Sequence, residues 1–227
     1  MKFIPILFST AMVQANHDGR KNQTRRLNGL EGINAAAIYN RIGYGIEIAK
    51  GVGKLQAIFL DPIDYKIEVS CPYGNVGDML WVRETFTQDL LGDYYYRADK
   101  RTDTEPKNED IAWRPSIHMP AAACRSWCII TGIECQRLQD ITEEDAIREG
   151  IEEVLSDMPI TYRNYEKGFE WDGLGDATQS YQSLWKSING KDSWDANPWV
   201  WVVRYEHTTT PPTGWEEYLQ SLNNRRK

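Results

Sequence analysis

The chain has 227 residues, of which 26% are charged and 41% hydrophobic, a composition ordinary for a folded globular protein. No run approaches the ~18 apolar residues of a membrane-spanning helix, and nine Trp, twelve Tyr and five Phe are too many for a disordered chain. The net charge of −7 argues against a protein that coats nucleic acid through a global positive field, so such a role needs a local basic patch. One candidate patch has four cations within seven residues: Arg20, Lys21, Arg25 and Arg26.

The first predicted elements are a strand at 3–8 (FIPILF) and a helix at 10–18, which Ser9 caps and Gly19 ends. The same stretch has some features of a secretion signal, but its apolar run is shorter than the ~7–15 residues of such signals and contains Pro5. We therefore expect a cytoplasmic protein whose four cysteines are free thiols, with Cys128 and Cys135 buried. The spacing of His118, Cys124 and Cys128 lacks a second paired knuckle, so we expect no structural zinc.

The middle of the chain is predicted to hold most of the strands. Residues 29–53 are rich in glycine and small side chains and indicate a loop with at most one short helix. Residues 55–74 favour two strands joined at Asp61-Pro62. A turn at 73–78 precedes the strand MLWV, which ends at Arg83-Glu84, and 94–96 favours one strand of a hairpin. Residues 126–138 predict a long strand.

The last third adds helices and a closing strand. Thr142 caps a helix that Gly150 ends, with Asp145 three positions after the cap. Residues 155–178 indicate a surface loop, 179–189 an amphipathic helix, 198–206 a buried strand and 208–227 a tail with one helix. Without regular strand–helix alternation, this order predicts the α+β class, as a small β-barrel with flanking helices and loop insertions.

Three groups of residues could carry chemistry. In the first, Lys21 is a base or phosphate anchor, Thr24 a hydroxyl nucleophile and Arg26 a bidentate ligand for phosphate or carboxylate; the alternative is a solvated basic turn. In the second, Glu149 at the negative end of a helix dipole suits proton transfer, unless it is a solvated helix end. The third is the pair Arg83-Glu84, where a strand leaves the core.

The pattern Gly19-x-Lys21-x-x-Thr24-x-Arg26 resembles the signature of ASCH domains, small β-barrels related to PUA domains. Tyr73-x-x-x-Gly77-Asp78-x-Leu80-x-Val82 and the run 199–205 resemble further parts of that family. The stretches WVRETF, WRPSIHMP, RLQDITEEDAIREGI and INGKDSWDANPWVWVV are similar to a phage and prophage group within it. The resemblance covers residues 3–27, 72–154 and 179–206.

The resemblance implies one PUA-like domain over 1–207, with insertions at 29–72, 88–118 and 155–178 and a tail at 208–227. It implies a cytoplasmic protein of a bacterial host or phage that acts on RNA or modified nucleosides without a cofactor. One member type deacetylates N4-acetylcytidine with a Lys, a Thr and a Glu, which match Lys21, Thr24 and Glu149. Substrate-binding roles then fall to Arg25, Arg26, Arg83, Glu84 and His118.

Two other functions stay open. A non-catalytic module would bind single-stranded RNA or a modified base, with Tyr95, Trp113 or Trp171 stacking on bases. A metal-independent ribonuclease would use Lys21 to stabilise a phosphorane and Glu149 or His118 to move the proton. The enzyme interpretation predicts Lys21, Thr24 and Glu149 in one cleft, and a Lys21→Ala variant that loses hydrolysis at a nearly unchanged melting temperature.

Overall fold

A computed structural model describes residues 1–40, 45–51, 54–60, 66–99, 111–154, 160–166 and 173–225. Within these ranges the strands and helices follow one another without a repeating unit. In chain order they are β1 (Phe3–Leu7), α1 (Thr10–His17), β2 (Gln23–Arg26), α2 (Glu31–Asn40), β3 (Gly45–Gly51), β4 (Lys54–Leu60), β5 (Lys66–Ser70), β6 (Met79–Arg83), β7 (Phe86–Gln88), β8 (Tyr94–Tyr96), β9 (Trp127–Arg137), α3 (Glu143–Arg148), β10 (Glu153–Val154), β11 (Thr161–Tyr162), α4 (Ala177–Asn189), β12 (Trp199–Thr208) and α5 (Trp215–Asn224).

The largest sheet has five strands in the order β1-β6-β9-β12-β2. β1 runs parallel to β6, with Phe3 opposite Met79, whereas β6 pairs with β9, and β12 with β2, antiparallel. Smaller sheets are β3-β4-β5 and the two-stranded β7-β8 and β10-β11. The predicted α+β class is confirmed. Over the described residues the five-stranded sheet is open, with β1 and β2 as its edges, and does not close into a barrel.

The chain divides into two compact units, each built from segments distant in sequence. The first unit comprises Met1–Gly19, Gly77–Ile130 and Glu206–Lys227, and the second comprises Arg20–Val76 and Thr131–Tyr205. The chain passes between the units four times: after Gly19, after Val76, within β9 and within β12.

The core of the first unit is aromatic, and α5 completes it. Trp215 is 4% exposed, and its ring lies 5.2 Å from that of Phe3, 5.4 Å from Trp127 and 6.0 Å from Trp81. Edge-on and tilted contacts of this kind stabilise beyond the area that they bury. The C-terminal segment that the sequence analysis set apart as a tail therefore packs into the first unit beyond residue 207.

The second unit is built around β12 and α4. Every residue from Trp199 to Val203 is buried, which explains the continuous apolar run in this strand. The helical spacing predicted for α4 is confirmed, because Tyr181, Leu184 and Trp185 are all buried. Asn34 of α2 joins this core: its side-chain amide donates to the carbonyl of Trp199 (3.0 Å) and accepts from the Trp199 N–H (2.7 Å).

The helix boundaries follow the capping residues seen in the sequence. Ser9 and Thr142 accept hydrogen bonds from the first turns of α1 and α3. Gly19 and Gly150 follow the two helices with φ of +72° and +85°, the left-handed region in which glycine pays no steric cost. These features place Lys21 two residues after Gly19, just beyond α1, and Glu149 at the end of α3.

The region 29–53 differs most from its prediction. It holds one helix, α2, which the prediction allowed, and a strand, β3, which it did not. β3 is a strand because it pairs antiparallel with the next strand, β4, over seven residues, which its glycine-rich sequence does not indicate. The predicted surface loop at 155–178 contributes β11, which pairs with β10, within the part that the structure describes.

Cysteine burial agrees with the sequence prediction: Cys128 and Cys135 are buried and form no disulfide in the described part of the chain, and the same holds for Cys71. Burial raises the pKa of Cys71 to about 11 and that of Cys135 to about 12, so both thiols stay protonated near neutral pH. Over the described ranges, no helix is both long and apolar enough to span a bilayer.

Candidate active site in the second unit

A backbone contact between the start of β2 and the end of α3 builds the site. Lys21 forms an isolated antiparallel bridge with Glu149, and the N–H of Asn22 donates to the carbonyl of Arg148 at 3.0 Å. These bonds bring together two segments that lie more than a hundred residues apart in sequence. The side chains of Lys21 and Glu149 therefore emerge beside each other.

The Lys21 ammonium donates three hydrogen bonds inside the protein. Its Nζ lies 2.8 Å from the carbonyl oxygen of Gln23, 2.7 Å from that of Glu149 and 3.1 Å from Glu149 Oε2. An ammonium has three N–H donors, and three acceptors are in place around it. Lys21 is only 3% exposed. The geometry is that of a charged lysine held in one position.

Glu149 is held from two sides. Its Oε2 accepts from Lys21, and its Oε1 accepts from Nη1 of Arg25 at 3.0 Å. The other terminal nitrogen of Arg25 donates to Asp145 Oδ2 at 2.8 Å. We call Lys21, Arg25, Asp145 and Glu149 the buried quartet; it contains two positive and two negative charges. Burial of charges on this scale is tolerated because each has an opposite partner within hydrogen-bond distance.

Two participants, Asp145 and Tyr181, were not predicted to belong to the site. Asp145 was predicted as the second half of a capping box, but its side chain turns to Arg25, while its N–H donates to Thr142 at 3.2 Å. Position 145 faces β2 because it lies one helical turn before Glu149. Only the spacing of these two carboxylates could have suggested that they share a partner.

Tyr181 of α4 lies on the other side of Arg25, whose guanidinium carbon is 5.9 Å from its ring centre. Burial, reinforced by Glu149, raises the pKa of Tyr181 well above 10, so its phenol stays neutral. Burial acts to lower the pKa of Arg25, but Glu149 and the other neighbours outweigh it, and the pKa is raised. Arg25 is thus a permanent cation whose two terminal nitrogens serve Glu149 and Asp145.

Strand alternation divides the predicted site residues. Side chains of Gln23 and Arg25 reach α3, where Gln23 donates to the carbonyl of Asp145 at 3.1 Å. Thr24 and Arg26 point to the opposite face of β2, since successive side chains of a strand alternate. There Nε of Arg26 donates to Thr24 Oγ1 at 3.1 Å. The structure therefore brings Lys21, Arg25 and Glu149 together, and separately pairs Thr24 with Arg26.

The basic patch predicted at 20–26 is largely turned inward. Lys21 and Arg25 belong to the buried quartet, and Arg20 donates to the carbonyls of Gly150 (3.0 Å) and Ile151 (3.3 Å). Arg26 is half-buried beside Tyr73. Burial raises the pKa of Tyr73 to about 12, although the positive charge of Arg26 acts to lower it. Most of the cations in this patch therefore bind groups of the protein itself rather than present their charge to solvent.

The remaining predicted substrate-binding residues lie in the first unit. Glu84 is 1% exposed, and both its oxygens accept from Arg125, at 2.9 and 3.0 Å. Arg83 is half-buried, and His118 is exposed in a single turn of 3₁₀ helix. Of the aromatics considered for base stacking, Tyr95 is 43% exposed and Trp113 half-buried, whereas Trp171 lies outside the described residues.

No protein-family model matches the chain, and neither a curated protein nor a solved structure matches it. Over the described residues, no three His, Cys, Asp or Glu side chains converge as metal ligands do. The candidate site thus consists of the buried quartet with Tyr181 on one face of β2 and the Thr24–Arg26 pair on the other.

Proposed function

We propose that this chain is an ASCH-like protein of PUA-like fold that hydrolyses an amide on an N-acylated pyrimidine nucleoside. The observation that supports the proposal most is the direct contact between Lys21 and Glu149. These are two of the three positions to which the sequence resemblance assigns catalytic roles. A carboxylate held between two cations is suited to proton transfer in acyl-group hydrolysis.

Glu149 is the proton carrier in this proposal. It takes a proton from water as the water oxygen bonds to the acyl carbon, and it returns that proton to the exocyclic nitrogen as the carbon–nitrogen bond breaks. The products are the free nucleoside and a carboxylic acid. Each Glu149 oxygen accepts one side-chain hydrogen bond within the quartet, and a carboxylate oxygen has a second acceptor site for the water.

Lys21 serves as a fixed cation rather than as a base. It would have to give up one of its three hydrogen bonds and a proton before it could activate Thr24 or water. Its ammonium instead orients Glu149 and stabilises negative charge that develops nearby. Thr24 takes no part in this step, because its side chain points to the face of β2 opposite Glu149, where its Oγ1 accepts from Arg26.

The test is a panel of N-acylated cytidines, with the nucleoside product followed by mass spectrometry. Glu149→Gln should lower kcat by about 10²-fold or more while substrate binding is retained, because the amide keeps the size but not the basicity of the carboxylate. Glu134→Gln is the matched control, since Glu134 pairs with Arg204 in the same unit at a half-exposed position.

Rapid quenching followed by intact-mass measurement distinguishes direct attack by water from attack by Thr24. Direct attack adds no acyl group to the wild type, and Thr24→Val should keep its turnover. An acyl group that is present on the wild type and absent from Thr24→Val would show that Thr24 is the nucleophile. If Glu149→Gln and Glu134→Gln turn over every accepted substrate equally, Glu149 is not the proton carrier. If no acylated cytidine is cleaved, the hydrolase proposal fails.

A second candidate is a non-catalytic module that binds RNA or a modified base. The observation in its favour is that the quartet residues Lys21, Arg25 and Glu149 are no more than 4% exposed and bonded to one another, as in a structural ion network. This function predicts binding of a modified nucleoside or a short RNA with no product. Incubation with RNA and separation of fragments also tests the ribonuclease alternative.

A further inference from the structure

Among the described residues, backbone carbonyls rather than a carboxylate hold Arg83 of the first unit in a fixed orientation. Its Nε donates to the carbonyl of Met119 at 3.1 Å, and its Nη2 donates to the carbonyl of Ile117. The guanidinium carbon lies 5.5 Å from the ring centre of Trp81, two residues earlier on the same face of β6. Two carbonyls and an aromatic ring therefore fix the plane of this cation.

The charge of Arg83 is not neutralised by a carboxylate within the described part of the chain. The adjacent carboxylate, Glu84, is taken by Arg125, which also pairs with Asp99 at 2.7 Å. Burial lowers the pKa of Arg83, with no acidic neighbour to oppose the effect, but a guanidinium stays protonated in proteins. A half-buried, permanently charged and unpaired guanidinium is energetically unfavourable unless an anion joins it.

The segment that supplies these two carbonyls also carries two exposed side chains with N–H donors. His118 lies between the two residues whose carbonyls hold Arg83, and its side chain is exposed. Arg114, also exposed, begins the same segment, which a reciprocal backbone bridge with Phe86 fixes against the start of β7. The Arg114 guanidinium lies over the Phe86 ring at 5.2 Å. Arg83, Arg114 and His118 thus border one short segment; we call them the cationic rim.

We propose that the cationic rim binds the phosphate group of a phosphate ester. Such a group carries a charge of about −1.5 to −2 and three acceptor oxygens near neutral pH. Two guanidiniums and an imidazole can serve these oxygens, whereas a carboxylate offers only two oxygens and one charge. The site lies within the first unit and is independent of the chemistry proposed for the buried quartet.

The experiment is calorimetric titration of the full chain with inorganic phosphate, cytidine 5′-monophosphate, a short single-stranded RNA without terminal phosphates, cytidine and acetate. We expect saturable binding of at least one phosphate-bearing probe and none of cytidine or acetate. Binding of the monophosphate but not the RNA assigns a monoester as the ligand; binding of both assigns the phosphate group of a nucleotide chain.

His118→Ala, Arg114→Gln and Arg83→Gln should each weaken phosphate binding by about tenfold or more, the loss typical of a hydrogen bond to a charged group. Arg97→Ala is the control, since Arg97 is an exposed arginine of the same unit that is not part of the rim, and it should bind as the wild type does. Arg83→Gln also leaves the carbonyls of Ile117 and Met119 without their donor. If that variant misfolds for this reason, the variants of the exposed residues His118 and Arg114 still test the proposal. Absent binding, equal binding of acetate, or unchanged binding in the His118→Ala/Arg114→Gln double variant would overturn the proposal.

Discussion

Lys21 is the residue whose expected behaviour the structure changes most. On the sequence alone, it is a mobile cation in a cleft whose loss leaves the melting temperature nearly unchanged. In the structure it is 3% exposed and donates three internal hydrogen bonds, one of them to a buried carboxylate. Its removal therefore leaves two carbonyls and part of the Glu149 charge without a partner.

We expect Lys21→Met to lower the free energy of unfolding by about 3–5 kcal/mol, the usual cost of removing one partner of a buried ion pair. Urea denaturation of Lys21→Met, Glu149→Leu and the double variant measures the coupling. The double variant should lose less than the sum of the single losses, since it leaves Arg25 paired with Asp145. A Lys21→Met protein as stable as the wild type would show that the ammonium is not held as described.

His207 gives the first unit a stability that depends on pH. Its Nε2 lies 2.7 Å from Ser126 Oγ, and its ring lies 5.5 Å from that of His17, the titratable group that faces it. Burial and then His17 lower the pKa of His207 from its usual 6.5. The unfolded chain therefore binds the proton more readily than the folded one, so the contribution of His207 is complete above about pH 6.5 and is lost as the pH falls below it.

The measurement is the urea midpoint of the wild type and of His207→Gln at about pH 7.5 and about pH 5.5. The midpoint of the wild type should fall more on acidification than that of His207→Gln, which cannot take up this proton. His17→Gln, which removes the neighbouring imidazole, should show an intermediate fall. Equal falls in all three proteins would contradict the assignment.

Among the elements, α5 shows how a helix at the end of the chain is integrated into a core. Its sequence predicts a helix, but no local sequence pattern indicates that Trp215 packs in the same core as Phe3 and Trp127. We expect Trp215→Ala to lower the free energy of unfolding by about 3–5 kcal/mol through the cavity it leaves. Ile188→Ala, at a 64% exposed position of α4, should change it by less than about 0.5 kcal/mol.

Chemical denaturation followed by tryptophan fluorescence measures both variants. A small effect of Trp215→Ala would mean that α5 only rests on the surface of the first unit. The comparison is informative because the hydrophobic positions of both helices are visible in the sequence, whereas the burial of each position depends on the element that packs over it.

β2 illustrates the limits of pattern reading at the level of an element. Its four residues, Gln23 to Arg26, are all polar, yet the first three are buried. A strand with polar side chains on both faces gives no hydrophobic alternation, so its burial and its pairing with β12 could not be predicted. What could be predicted was an extended segment after the glycine that ends α1.

At the scale of the whole molecule, the net charge of −7 restricts how nucleic acid can bind. Most of the basic patch at 20–26 is engaged internally, and the cationic rim provides contacts for one or two phosphates. With two phosphates neutralised, the salt slope for a single strand is about −1.4, so raising salt from about 50 to about 200 mM should weaken RNA binding by less than about tenfold. Filter binding at several salt concentrations tests this; a much steeper slope would indicate an extended basic surface.

The sequence by itself determined the elements whose causes are local. Caps at Ser9 and Thr142, glycines at 19 and 150, and the apolar spacing of α4 and β12 act over a few residues, and each element formed where these signals placed it. The sequence resemblance also named Lys21 and Glu149, which proved to be in contact. Only the tertiary structure decided that Asp145 and Arg25 join them, that Thr24 faces the other side of β2, and that the chain crosses between two units within β9 and β12. These outcomes depend on pairing between distant segments, whose free energy comes from contacts that no local pattern contains.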